Sequence, residues 1–282
     1  MGSVEVEEMG NVEVINEEER PKRGRRKKVE EVVAVEENVT EEVVAEEENP
    51  QRTALVIGHK GFMGSFMTPV IAETFNVHGY DLLDGQDARD YNTLLEAMGG
   101  VDAVLHLASI PMYSETIQPS RYVTQNFFAV ATAFEAFLNS KARHFVFVSS
   151  GALYGFGPKR PLEGWVKPPI RERLPKSQEE LGMLDSYSAV KVASERLFNI
   201  VCSTTRRKIS VTSLRINCIE PYHTGARDNG AHWGWWCSQE LATKAVIAAL
   251  NRESDGYQTV NVGEENEFLD RTALLSLLNG KM

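Results

Sequence analysis

The sequence predicts an α/β fold, a doubly wound parallel sheet over residues 52–282, behind an acidic tail over 1–51. Three observations carry this expectation. Short apolar runs alternate with helical patterns along the chain. A glycine-rich turn joins the first run to the first helix. Residues able to do chemistry fall just after the apolar runs, where parallel sheets present their ligand sites.

The elements follow in order. Ala54–Ile57 is an apolar run and reads as the first buried strand, with a helical pattern from Phe62 to Phe75 behind the glycine-rich turn. Asn76–Tyr80 reads as a second strand ending at Asp81, and 103–107 (AVLHL) as a third. The amphipathic stretch 119–138 is read as a helix, 144–148 (HFVFV) as a fourth strand and 187–201 as a helix. Residues 209–214 read as a strand, 241–250 as a helix and 259–262 as a last short strand. Continuous rather than alternating apolar strands imply a sheet covered on both faces.

Charge separates the two parts of the chain. Residues 1–50 hold 16 Glu, no Asp and no aromatic residue against 7 Lys and Arg, and the remainder is close to neutral. A segment so poor in large apolar groups cannot offset the entropy of ordering, so a disordered tail is expected. The basic run 22–28 inside it reads as a solvated stretch balancing the neighbouring Glu rather than as a polyanion patch. The near-neutral remainder gives no reason to expect a nucleic-acid partner. Cys202, Cys218 and Cys237 have no metal-ligand spacing, and no run approaches 18 apolar residues. No metal and no membrane partner are expected, and a reduced, cytoplasmic setting is.

The turn after the first strand is Gly58-His-Lys-Gly61-Phe-Met-Gly64. Glycines allow a tight turn and a close approach of backbone to a pyrophosphate, and the following helix presents N–H groups and a positive dipole end. Asp81 closes the next strand. A carboxylate there accepts ribose hydroxyls and repels a 2′-phosphate, which favours NAD over NADP. His59 and Lys60 pull the other way, since a base beside the loop helps to bind a 2′-phosphate.

Tyr187-Ser-Ala-Val-Lys191 sets Tyr and Lys one helical turn apart. A tyrosine is a poor base at neutral pH, and a nearby ammonium favours its phenolate. Tyr187 is thereby expected to exchange a proton with a substrate oxygen while hydride moves on the nicotinamide. Ser150, after the fourth strand, is positioned to orient that oxygen. It reads equally as a cap on the strand end.

GHKGFMG, FVFVSSGALYG and YSAVK occur in this order, and together they resemble the extended short-chain dehydrogenase/reductase family of NAD-dependent epimerases and dehydratases. Leu105–Ser109, Gln118–Asn126 and Leu214–Pro221 are similar to further family segments, and the resemblance spans about 53–263. It implies a Rossmann-type sheet with a small C-terminal substrate lobe, formed mainly by 155–185 and 220–282. It implies Ser150, Tyr187 and Lys191 as the catalytic set. Gly58, Gly61, Phe62, Met63, Gly64, Asp81, Leu107, Ala108, Ser109, Asn126 and Lys191 are implied for NAD, with Asn126 supporting the site's backbone. For substrate, the expected contacts are Ser109, Ser150, Tyr187, Arg215 and Trp233. The helices 119–138 and 187–201 pair in a homodimer in this family. A monomer at micromolar concentration by light scattering would remove that expectation.

Two departures narrow the chemistry. Gly151 and Ala152 stand where the family's dehydratases carry Asp-Glu, so dehydration is not expected. The short C-terminal lobe suits a small substrate, as in the uronate dehydrogenases that the chain resembles in size. The leading expectation is an NAD-dependent oxidoreductase acting on a hydroxyl or carbonyl of a sugar or sugar acid. The alternatives are a nucleotide-sugar epimerase with tightly bound NAD and a non-catalytic NAD-binding regulatory protein.

Overall fold

The computed structural model describes residues 51–111, 118–155, 169–177, 180, 184–219, 236–266 and 269–282. The acidic tail, Trp233 and much of the expected substrate lobe lie outside the described residues. Six strands form the main sheet. They are β1 Thr53–Ile57, β2 Asn76–Tyr80, β3 Ala103–His106, β4 His144–Ser150, β5 Ser210–Ile216 and β8 Gly256–Val262, in the order β2-β1-β3-β4-β5-β8. All neighbouring pairs are parallel. A second, two-stranded sheet pairs β6 Cys218–Ile219 with β7 Trp236–Cys237.

The helices are α1 Phe62–Ile71, α2 Tyr91–Ala97, α4 Ser186–Thr204, α5 Gln239–Leu250 and α6 Thr272–Leu278. Between α2 and α4 runs α3, which starts at Pro119–Arg121, passes through a π-helical stretch at Tyr122–Phe127 and continues over Phe128–Asn139. Alternate residues of one strand feed two cores. Ala54 and Val56 pack with Met67 and Ile71 of α1, Ala245 and Val246 of α5 and Leu274 of α6. Leu55 and Ile57 pack with Leu94 of α2, Phe134 and Phe137 of α3 and Phe198 of α4. The covering of both faces is why the strands read as continuous apolar runs.

The order reverses between β1 and β3, so the crevice for a ligand opens at their carboxyl ends. β4 runs beside β3, and α4 is pinned behind it by aromatic contacts. Phe198 of α4 meets Phe145 and Phe147 of β4 at ring-centroid distances of 5.6 and 5.3 Å. Residues 187, 191 and 195 therefore share the helix face turned to the end of β4.

Several boundaries differ from expectation. α1 ends at Ile71 rather than Phe75, because the amides of Thr74 and Phe75 turn back onto the Ile71 carbonyl to lead into β2. β4 runs on to Ser150, and β8 begins at Gly256. α2, α6 and the β6–β7 pair have no counterpart in the expected elements. α2 carries a readable start, since Asp90 accepts from the amides of Asn92 and Thr93.

Candidate functional site

The glycine-rich loop is built by close backbone approach. Gly58 has φ +89°, and a Cβ on it would lie 2.6 Å from the Ala108 amide nitrogen, so β1 and β3 part there with room only for hydrogen. A Cβ on Gly64 would lie 2.3 Å from the Gly58 carbonyl oxygen, which lets α1 start directly beneath the loop. Gly61 differs: a Cβ there would meet only the Gly58 oxygen, at 3.3 Å, so its bare face opens outward. No side chain caps α1 at Gly61, and no acid stands in its first turn. Such an uncapped, glycine-lined helix start suits a pyrophosphate.

Asp81 stands at the end of β2 with its carboxylate mostly buried. One oxygen accepts from the Lys60 amide and the other from the Leu83 amide, both at 2.9 Å. Across the crevice, the amides of Leu107 and Ala108 bond to the Ile57 carbonyl. Ser109 is exposed, and its hydroxyl donates to the Ile110 carbonyl. Asn126, buried in the π-helical stretch, holds Ile110 from both sides, accepting from its amide at 2.8 Å and donating to its carbonyl at 3.0 Å. The described residues thus bring the glycines, Asp81, Ala108 and the Asn126-held segment to one end of the sheet.

The second half of the site sits at the end of β4. The Ser150 hydroxyl accepts from the Ala152 amide at 3.1 Å, capping a 3-10 turn over Gly151–Tyr154, and its side chain lies near enough to Tyr187 to favour the phenolate. The capping role and the contact with Tyr187 coexist. The Tyr122 ring meets Tyr187 edge-on at 6.1 Å, while its hydroxyl donates to the Pro111 carbonyl at 3.3 Å. That links the segment after β3 to the tyrosine. Lys191 is buried, donates to the Val148 carbonyl at 2.8 Å and lies 5.4 Å from the centre of the Tyr187 ring.

Burial dominates the proton affinities of both groups. It pushes the Tyr187 hydroxyl up to about 12, with Ser150 opposing it and Asp185 adding to it. It draws Lys191 down to about 7, against the pull of Glu195. Burial thus acts against the lowering of Tyr187 that was expected from a charged Lys191. Away from solvent the ammonium of Lys191 and the phenolate of Tyr187 are both disfavoured.

Arg215 also departs from expectation. It is 1% exposed near the carboxyl end of β5, between β4 and the edge strand β8. Its guanidinium forks onto Glu195 at 2.6–3.2 Å and donates to the Tyr154 hydroxyl at 2.7 Å and the Arg173 carbonyl at 3.0 Å. A side chain so engaged has no open face toward a substrate. Glu195 was not among the expected residues. It lies one turn beyond Lys191, is fully buried, and takes a 2.6 Å bond from the Ser149 hydroxyl. Its spacing on the catalytic helix face was the available signal.

The profile of the NAD dependent epimerase/dehydratase family matches residues 54–263. The chain belongs to this family. It is an NAD-dependent enzyme of the extended short-chain dehydrogenase/reductase type. No curated protein matches it by sequence. Among solved structures it is similar to a glucuronic acid dehydrogenase from Chromohalobacter salexigens, at 18% identity and TM-score 0.61 over 81% of this chain and 83% of that one. A uronate dehydrogenase variant from Agrobacterium tumefaciens, complexed with NAD, matches at 17% identity and TM-score 0.60 over 80% and 83%. A UDP-N-acetylglucosamine 4-epimerase from Bacillus cereus matches at 18% identity and TM-score 0.55 over 81% and 82%. At these identities the likeness is one of fold. Among the described residues no cluster of metal-ligating side chains occurs, no helix is long and apolar enough to cross a membrane, and all three cysteines are free thiols.

Proposed function

We propose that this enzyme oxidises or reduces a hydroxyl or carbonyl of a sugar or sugar acid, with Tyr187 as the proton-transferring residue. The observation that carries the reading is the grouping of Ser150, Tyr187 and buried Lys191, whose Nζ lies 5.4 Å from the Tyr187 ring, at the end of β4 next to the glycine-rich crevice. When bound, NAD supplies the hydride acceptor or donor.

In this reading Gly58, Gly61 and Gly64 receive the pyrophosphate, with the backbone of Phe62 and Met63 at the start of α1. Asp81 takes the adenosine ribose hydroxyls, and Leu107, Ala108 and Ser109 line the opposite wall. Ser150 holds the substrate oxygen against the Tyr187 hydroxyl. Tyr187 donates its proton to a carbonyl oxygen in reduction, which suits a phenol held protonated at neutral pH. In oxidation Tyr187 first gives up its own proton and then, as phenolate, accepts the one from the substrate hydroxyl, with a protonated Lys191 balancing the charge. Gly151 and Ala152 offer no acid–base pair for the removal of water, which supports redox without dehydration.

The test is net change at the reduced-nicotinamide absorbance band, with NAD and a panel of uronic acids, aldoses and nucleotide sugars. A steady rise with one substrate supports a dehydrogenase. Conversion of a nucleotide sugar to its epimer with no net reduction supports an epimerase instead. Tight NAD binding with no turnover on any member speaks against both and for a regulatory protein.

A further inference from the structure

Two bases flank the expected adenosine-ribose corner, and both are already occupied. His59 and Lys60 follow Gly58 in the loop, and the Lys60 amide is bonded to the Asp81 carboxylate. Their side chains turn the same way. The Lys60 ammonium is ion-paired with Asp84, and His59 Nε2 lies 3.6 Å from the other Asp84 oxygen. The His59 ring also packs against the backbone of β2. It lies over Gly79 of β2, where a Cβ would fall 2.6 Å from its Cε1 and Nε2 and displace it from this position.

Asp84 reaches this position through Asp81. The 3-10 turn Leu82–Asp84 is capped by the Asp81 carboxylate, and the Asp84 amide donates to the Asp81 carbonyl at 2.9 Å. Gly85 closes the turn with φ +79°. One acid therefore faces the ribose while its turn presents a second acid to the two bases.

We infer that Asp84 is a specificity-determining residue, holding Lys60 and His59 away from a 2′-phosphate and keeping the site selective for NAD over NADP. The inference rests on the reading that Asp81 faces the adenosine ribose. A 2′-phosphate carries up to two negative charges at neutral pH. With Asp84 in place it meets two carboxylates, and the flexible lysine is already paired. With Asp84 gone, Lys60 is released one residue from the same corner, on a stem long enough to turn toward it.

The experiment is isothermal titration of the full chain with NAD and, separately, with NADP. The proteins are the wild type, Asp84→Asn, and Asp84→Asn combined with Lys60→Met. The expected result is NADP binding tightened about tenfold in Asp84→Asn, the size of one released charge contact near a surface, and NAD binding changed less than about threefold. Lys60→Met should erase the gain. NAD binding intact with NADP binding unmoved in Asp84→Asn overturns the inference, as does a gain that survives Lys60→Met. Absence of NAD binding by the wild type overturns the cofactor reading itself, and with it this inference. Asp84 is partly exposed on a turn, and Asp84→Ser makes the same prediction should the amide variant fold poorly.

Discussion

The guanidinium of Arg215 is by chemistry a good ligand for a substrate carboxylate, but its place on β5 decides otherwise. Every residue of β5 is buried beneath the elements that cover the faces of the sheet, so a side chain there is removed from water and must find its partners inside the protein. Glu195, Tyr154 and the Arg173 carbonyl supply them. Breaking such a pair from one side costs more than removing both partners, because the survivor is left charged and buried. Arg215→Met should therefore lower stability to denaturant by about 3–5 kcal/mol, and Glu195→Gln in the same chain should restore part of the loss. A loss below about 1 kcal/mol would mean that the pair does not hold the fold. At this scale the sequence was legible where a motif fixes a residue's place in the fold. The glycine-rich loop, Asp81, Ser150, Tyr187 and Lys191 all stand at one end of the sheet. It was silent where burial decides. Nothing local to Arg215 tells a ligand from a buried clamp, and nothing local to Tyr187 tells that burial outweighs the lysine.

The elements were legible in proportion to their apolar content. β1, β3, β4 and β5 are buried along most of their length, and their apolar runs mark them. α2 and α6 have seven residues each and bury one or two of them, so their periodicity is too short to stand out. The π-helical stretch of α3 could not be read at all. It is a backbone irregularity inside an amphipathic pattern, and it surrounds Asn126, which holds Ile110 beside the site. π-bulges recur at functional sites for this reason: the extra residue per turn re-aims a side chain. On the same helix pair, Val123 and Phe128 of α3 and Ile200 of α4 are exposed apolar side chains.

For the molecule as a whole, the two cores meet at a sheet that also buries titratable groups, and this sets how stability responds to acid. Burial draws His106 down to about 3 and His144 down to about 4. The unfolded chain binds protons at these residues near 6.5, so between there and about 4 it holds more protons than the folded chain. Stability is then complete above about 6.5 and falls as pH drops, by roughly 1.4 kcal/mol per unit for each histidine while both remain neutral in the fold. Denaturant unfolding at pH 7 and pH 5 checks this. His106→Asn should show a shallower fall between the two than the wild type. Equal slopes in both proteins would mean that His106 is not held neutral. The doubly wound architecture itself was legible from the alternation of runs and helices. The tail and the segment around Trp233 lie outside the described residues, so the structure does not bear on their expected roles.

Tyr187 is the group proposed to move the proton, and one comparison tests that role most directly. Tyr187→Phe keeps the ring, its edge contact with Tyr122 and the helix that carries it, and removes only the hydroxyl. Measured beside the wild type on whichever substrate the panel turns over, kcat should fall by about 10²–10⁴. NAD affinity by titration should stay within about threefold. A variant that keeps kcat within tenfold of the wild type while binding NAD normally would contradict the assignment and move the proton transfer to another residue.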